Sequence, residues 1–524
     1  MTDSVKKPVV LVILDGWGFS EQTTGNPVKQ AKLSNLDAIA AQYPMVLLQA
    51  SGPAVGLTWG EAGSSEVGHL AIGAGRIVNQ YNPRINEAIK NGTFFVNQVL
   101  VGAFEHAKQS NGRVHLVGLL TSGTVHAAFN HLIALIQMAA ENNPSQTFVH
   151  LFLDGRDSGL REGVELIKKL EQETQKNNHG KIAAVIGRDW AMDRNNNWER
   201  TQKTYQLIAK AEGEKTGNLI ESITDYYQKG VNDSQMPALV SSASGFDGMA
   251  DGDAVIFFNF REDSMRQIFR SFTEENFTNF QRAILKNVYL CSMTKYLEEQ
   301  TAPVAFPPPE VKNCLAEVLA AAGKMQLHIA ETDKYAHVTY FFNALNNQPF
   351  AGETDVFIDS VKNIEQNPAM ASVEIGEKVA AALEPGRYDF ILANFANADL
   401  LAHTGNFEAV VRGMEAVDAA LGRVLNKALE KDAVLIVTAD HGNAESLIYK
   451  TGGEAETKHG TNPVFFYLVD NVYRRQKSFE QIAAEKAEVN GILPDIAPTI
   501  LELMDLPQPP EMTGQSLLPL LLEQ

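Results

Sequence analysis

AVLIVTADHGN (433–443) opens as an unbroken apolar run and ends in adjacent acidic and imidazole side chains. An apolar run without alternation suits a strand buried on both faces of a parallel sheet. Five other stretches have the same form: VVLVILD (9–15), FVHLFLDGRD (148–157), KIAAVIGRD (181–189), DAVIFFNFR (253–261) and YDFILANFANAD (388–399). Between them lie helical patterns, among them NHLIALIQMAAENN (130–143), EGVELIKKLEQETQKNN (162–178) and FEAVVRGMEAVDAALGRVLNKALEK (407–431). Strand alternating with helix predicts an α/β fold with mostly parallel sheets. Ligand-binding residues of such sheets collect beyond the carboxyl ends of the strands. Each of the six runs places an Asp, Arg or His there.

The chain has 524 residues, more than one core accommodates, so about two to four domains are expected. Two stretches read as seams. RIVNQYNPRINEAIKNG (76–92) follows a glycine-rich segment and contains a proline, and TAPVAFPPPEVKN (301–313) carries four prolines, which precludes regular structure. The simplest organisation is a domain of residues 1–78 and 306–524, interrupted by a second domain of residues 79–305. A net charge of −19 excludes nucleic acid and anionic membrane surfaces as main partners. No stretch reaches the roughly 18 apolar residues of a membrane span, and the short N-terminal run ends in Asp15-Gly16 instead of a cleavage site. Cys291 and Cys314 form no CxxC motif and read as buried free thiols of a cytoplasmic protein.

Ser65 lies in GSSEVGHLAIGAG (63–75), and a serine hydroxyl needs activation before it attacks anything. A metal can supply that activation. Asp399 and His403 stand one helical turn apart, Asp440 and His441 are adjacent after a strand, Asp15 ends another strand, and His459 lies in KHG (458–460). Any one of these is ordinarily structural. Together, three histidines and three carboxylates on separate segments suffice for two metals, and mixed nitrogen and oxygen ligands suit Mn²⁺ or Zn²⁺ better than Mg²⁺ or Ca²⁺. Arg156, Arg188, Arg194, Arg261 and Arg266 fall at or after apolar runs of the proposed insert. A single arginine there is ordinarily a surface ion pair, but five suggest an anion pocket. Asp157 reads equally well as a proton acceptor or as a partner of a neighbouring arginine. His126 and Lys334 carry only weak signals on their own.

At this point the ordered motifs VILDGWG, SSEVGHLAIGAGRIV, LDGRD, GRDWAMDRNNNWER, FFNFR, ETDKYAHVTYFFN, FANADLLAHTGN, TADHGN and HGTNPV resemble the 2,3-bisphosphoglycerate-independent phosphoglycerate mutases, of the alkaline-phosphatase-like superfamily. The likeness runs from the first strand to MTGQSL (512–517). It implies a discontinuous alkaline-phosphatase-like domain interrupted by an inserted α/β transferase domain. It implies interconversion of 3-phosphoglycerate and 2-phosphoglycerate in glycolysis and gluconeogenesis, through a phosphoserine intermediate at a two-metal site. By motif position, Asp399, His403 and His459 match ligands of one metal, and Asp15, Ser65, Asp440 and His441 match ligands of the other. Ser65, which directly precedes EVGH, matches the nucleophile. His126, Arg156, Asp157, Arg188, Arg194, Arg261 and Lys334 match substrate positions, with Asp157 as proton donor and acceptor and Lys334 neutralising charge.

The resemblance departs at NFREDSMRQ (259–267). Many members carry a second arginine three positions after the first, where this chain has Ser264. Arg266 is the arginine available to replace it, although two residues turn a helical side chain by about 200°. The implied enzyme is a cytoplasmic, monomeric isomerase using two Mn²⁺ ions and no 2,3-bisphosphoglycerate. The alternatives are a metal-dependent phosphomonoesterase or phosphosugar mutase on the same scaffold, and a non-catalytic sensor of metal or phosphoglycerate.

Overall fold

Apolar strands and polar strand ends organise a computed structural model that describes residues 7–282, 285–384, 386–447 and 457–522. The chain divides into two units, one of residues up to Asn79 and from Glu310 onward, the other Gln80–Pro309. The first unit begins with β1 (Val9–Leu14) and β2 (Met45–Gln49). The second unit carries β3 (Val114–Leu120), β4 (Thr147–Leu153), β5 (Lys181–Gly187), β6 (Glu214–Thr216), β7 (Leu239–Ser241), β8 (Ala254–Phe257) and β9 (Tyr289–Ser292). The chain then returns to the first unit with β10 (Gln326–Glu331), β11 (Glu353–Ile358), β12 (Phe390–Phe395), β13 (Val434–Thr438), β14 (Val464–Val469) and β15 (Val489–Ile492).

The first unit's sheet has the order β11-β10-β12-β1-β13-β14-β2-β15. Strands β11 through β13 in that order run parallel, β14 runs antiparallel to both neighbours, and β15 pairs parallel with β2. Every residue of β1 is buried, because the strand is central and covered on both faces. Since β10, β12, β1 and β13 are contiguous and parallel, their carboxyl ends share one edge. Lys334, Asp399, Asp15 and Asp440 lie just past those four ends.

The second unit's sheet has the order β6-β7-β5-β4-β3-β8-β9, parallel except between β5 and β7. His126, Arg156, Arg188 and Arg261 follow β3, β4, β5 and β8, so they too share an edge. Part of the 76–92 stretch forms a helix, Tyr81–Lys90, because Pro83 falls in its first turn, where no backbone donor is needed. Cys291 and Cys314 are buried free thiols. Among the described residues, no helix is long and apolar enough to cross a membrane.

Burial holds several imidazoles of the second unit neutral. Burial lowers His131 to about 4, burial with the Arg188 charge lowers His126 to about 4, and burial with His115 lowers His150 well below its ordinary value. An unfolded histidine titrates near 6.5. Below that pH the unfolded chain takes up protons that the folded chain refuses, so stability is lost as pH falls from about 6.5 towards about 4. Guanidinium unfolding followed by tryptophan fluorescence is expected to show a lower midpoint at about pH 5 than at about pH 7. Equal midpoints would contradict this.

Candidate active site

Ser64 and Ser65 divide their work at the start of the Ser65–Ala74 helix. Ser64 is extended and caps the helix, its hydroxyl accepting from Val67 N at 3.4 Å. Ser65 is buried, and its Oγ donates to Asp15 Oδ1 at 2.9 Å, accepts from Lys334 Nζ at 2.6 Å and lies 3.0 Å from His441 Nε2. The helix sits hard against the β13 turn: a Cβ on Gly68 would lie 2.4 Å from the Asp440 carbonyl oxygen. Gly16, at φ +69°, takes the left-handed conformation that lets its N–H donate to Asp440 Oδ1 at 3.1 Å.

Lys334 also donates to Asp15 Oδ1 and Asp399 Oδ2, both at 2.7 Å. Burial by itself would raise both carboxyls, but the ammonium overrides it and holds them below the ordinary range. Burial likewise opposes the Lys334 charge, and Asp15, Asp399 and Asp440 together push its pKa up instead. His441 is raised to about 10 against burial, by Asp440, Asp15 and Asp399. Three buried carboxylates thus share two buried cations, the Lys334 ammonium and the His441 imidazolium.

The donor set fits divalent cations. His403 and His459 turn their outer Nδ1 atoms to carbonyl oxygens, Thr457 O at 2.9 Å and Gly63 O at 2.8 Å. Their Nε2 atoms converge, 3.0 Å apart and 3.3 and 3.4 Å from Asp399 Oδ1. An outer nitrogen anchored on a carbonyl is how a metal-binding imidazole is oriented. On the Ser65 side, Asp15, Asp440 and His69 bring ligand atoms within 4.8 Å of one another, as do Asp15, Asp399 and His441. Asp440 Oδ2 is buried with no hydrogen-bond partner.

His69 is absent from the sequence-derived set, although it stands in the same SSEVGH segment. Its Nδ1 lies 3.1 Å from Asp440 Oδ2 and 2.8 Å from Ser65 O. Asn394, hidden inside an apolar run, donates to Asp15 Oδ2 at 2.7 Å. Asn443 donates to Asp399 Oδ1 at 2.8 Å. Glu445 accepts from Gly18 N, Asn443 N and Asn462 Nδ2 at 3.0, 2.8 and 2.8 Å, so it ties three site loops together.

In the second unit, His126, Arg156, Arg188 and Arg194 line a cavity of 170 Å³ together with Ser264 and others, while Asp157 and Arg261 are reached through side chains that contact them. Arg188 donates to Asp154 and, at 2.6 Å, to Asp157 Oδ2. Arg156 pairs with Asp189, and Arg194 donates to Asp263 Oδ2 at 2.7 Å. Arg261 Nε lies 3.5 Å from Asp263 Oδ1. His126 lies 3.9 Å from Asp157 and 3.7 Å from Asp263. An anion entering here would take over guanidinium groups now turned to aspartates.

Arg266 is not brought to this cavity. It is the first residue of the Arg266–Thr273 helix, and its guanidinium lies 3.4 Å from Glu262, one turn back. Arg200 does line the cavity, although sequence reasoning left it out. It sits inside the Trp198–Lys210 helix and not at a strand end.

A helix-borne serine among aspartates, histidines and a lysine, at the carboxyl edge of a parallel sheet, defines the class: a metal-dependent enzyme of the alkaline-phosphatase-like fold. Comparison with known proteins narrows this. Residues 85–298 match the family model described as "BPG-independent PGAM N-terminus", and residues 222–506 match that described as "Sulfatase". A protein of Moorella thermoacetica named 2,3-bisphosphoglycerate-independent phosphoglycerate mutase is 41% identical over 99% of both chains. One of the same name from Cellvibrio japonicus is also 41% identical over 99% of both chains. A crystal structure of Leishmania mexicana phosphoglycerate mutase at low cobalt concentration covers 98% of each chain at 26% identity, with a TM-score of 0.68. The chain belongs to the 2,3-bisphosphoglycerate-independent phosphoglycerate mutases.

Proposed function

We propose that this chain interconverts 3-phosphoglycerate and 2-phosphoglycerate without 2,3-bisphosphoglycerate, an isomerisation through phosphorylated Ser65. The observation that carries the reading is Ser65 Oγ, buried and held by Asp15, Lys334 and His441 at 2.9, 2.6 and 3.0 Å. Asp399, His403 and His459 would hold one divalent cation, and Asp15, Ser65, Asp440 and His441 the other, with Mn²⁺ as the proposed metal. When bound, such ions supply positive charge that favours the serine alkoxide and stabilises the transferring phosphoryl oxygens.

The chain's own residues do the rest. Asp15 orients the Ser65 hydroxyl, and the Lys334 ammonium stabilises the oxyanion that attacks phosphorus. His126, Arg156, Arg188, Arg194 and Arg261 hold the anionic groups of the substrate. Asp157 protonates the glycerate hydroxyl freed by transfer, then removes a proton from the other hydroxyl, which attacks phosphoserine. His126 is held neutral by burial and by Arg188, so it can donate or accept a hydrogen bond without adding charge. The enzyme is proposed to act as a monomer in the cytoplasm, in glycolysis and gluconeogenesis.

Purified protein with Mn²⁺, 3-phosphoglycerate and an enolase coupling system is expected to turn over with no bisphosphoglycerate added. Release of inorganic phosphate as the main product would identify a phosphomonoesterase instead. Binding without turnover would identify a sensor.

A further inference from the structure

Strands β10 and β11 form the outer pair of the first unit's sheet, and their parallel register sets Gln326 beside Glu353 and His328 beside Asp355. Alternation along the strands therefore turns His328, Glu353 and Asp355 to the same face. Each offers one ligand atom, and the three atoms lie within 4.8 Å of one another. The His328 and Glu353 side chains are completely buried, with His328 Nδ1 3.3 Å from Glu353 Oε1.

Two observations point to a missing electrophile. Beyond that 3.3 Å approach to Glu353, neither ring nitrogen of His328 has a hydrogen-bond partner, and the buried Asp355 Oδ1 has none either. Among the described residues, no lysine or arginine forms an ion pair with Glu353 or Asp355. Glu353 is meanwhile fixed from behind, by Asn343 Nδ2 at 2.7 Å and Phe350 N at 2.8 Å, as a ligating carboxylate is in metal sites. Burial and the Glu353 charge raise the Asp355 carboxyl to about 6, a sign that the cluster is short of positive charge.

We propose that His328, Glu353 and Asp355 bind a divalent cation of the zinc class, separate from the active-site metals. One imidazole and two carboxylates form a three-ligand set that Zn²⁺ accepts, with solvent completing the shell. Such an ion joins β11 to β10, and β10 runs directly into the Thr332–Lys334 turn that carries Lys334. Its role is structural, holding the edge strand from which that turn departs.

The test uses the full chain, stripped with EDTA, dialysed against Zn²⁺ and counted by plasma mass spectrometry. Asp355→Asn is expected to hold about one zinc fewer per chain than the parent. It is also expected to show a smaller zinc-induced rise in melting temperature, with Mn²⁺-supported turnover unchanged. His328→Asn should lose the same equivalent. If it fails to fold, Asp355→Asn decides the matter, because that side chain is partly exposed and the change nearly isosteric. Equal zinc content in parent and Asp355→Asn overturns the proposal. Should the active-site centres hold no zinc at all, the total falls but the difference between parent and variant remains. Failure of the active-site assignment is thereby distinguishable from failure of this one.

Discussion

Replacing Ser65 by alanine is expected to cut mutase turnover by on the order of 10⁴-fold or more while the protein stays folded and binds phosphoglycerate. The substitution removes the one oxygen that Asp15, Lys334 and His441 address together, and it leaves those three side chains in place. The helix keeps its cap, because Ser64 supplies it. Coupled-assay rates with calorimetry of substrate binding separate the two effects. Turnover within tenfold of the parent would remove Ser65 from the chemistry, as would a phosphoprotein intermediate trapped on another residue.

Lys334→Met should damage both activity and stability. In the absence of metal, Lys334 is the ammonium that offsets Asp15 and Asp399, and only 4% of its surface is exposed. Removing one partner of a buried charge cluster costs about 3–5 kcal/mol. The pH dependence has a definite sign. Asp15 and Asp399 are held below their unfolded values, so they add stability above those values, and it is lost as pH falls through the acidic range. Without Lys334 both carboxyls rise, so the variant should recover relative to the parent on acidification. Adding Mn²⁺ at neutral pH should also narrow the gap, because cations replace the lost charge. Denaturant unfolding in EDTA and in Mn²⁺, at several pH values, checks both statements. A variant as stable as the parent in EDTA would refute this account.

The strand-end logic worked where burial is symmetrical. β1, β4, β12 and β13 are covered on both faces, so their sequences are mostly apolar, and the polar residue after each marks the candidate site's edge. β10 obeys the same geometry, yet Gln326, His328 and Glu331 are polar and buried. Its sequence, QLHIAE, gives no apolar run to read, which is why Lys334 was recognisable only through the ETDKYAH motif. Asn394 was invisible for the opposite reason, since one amide inside FILANF looks like an interruption. His69 lies on a helix packed against the Asp440 turn, a contact that spans some 370 positions and leaves no local trace. Arg200 projects from a helix, where the strand-end rule does not apply. Arg266 opens its helix four residues after Glu262, and it meets that side chain instead of the cavity.

The order of the strands also has a consequence for synthesis. β1 is made first, but its sheet partners β12 and β13 follow about 380 residues or more later. At a typical elongation rate its six apolar residues wait roughly 20–80 s before either neighbour exists. The second unit, made entirely within that interval, needs nothing from the later segments to complete its own sheet. The nascent chain therefore carries an unpaired, aggregation-prone strand for most of its time on the ribosome. Pairings so distant in sequence close last and are intrinsically slow, so the first unit's sheet is expected to complete after the second unit's.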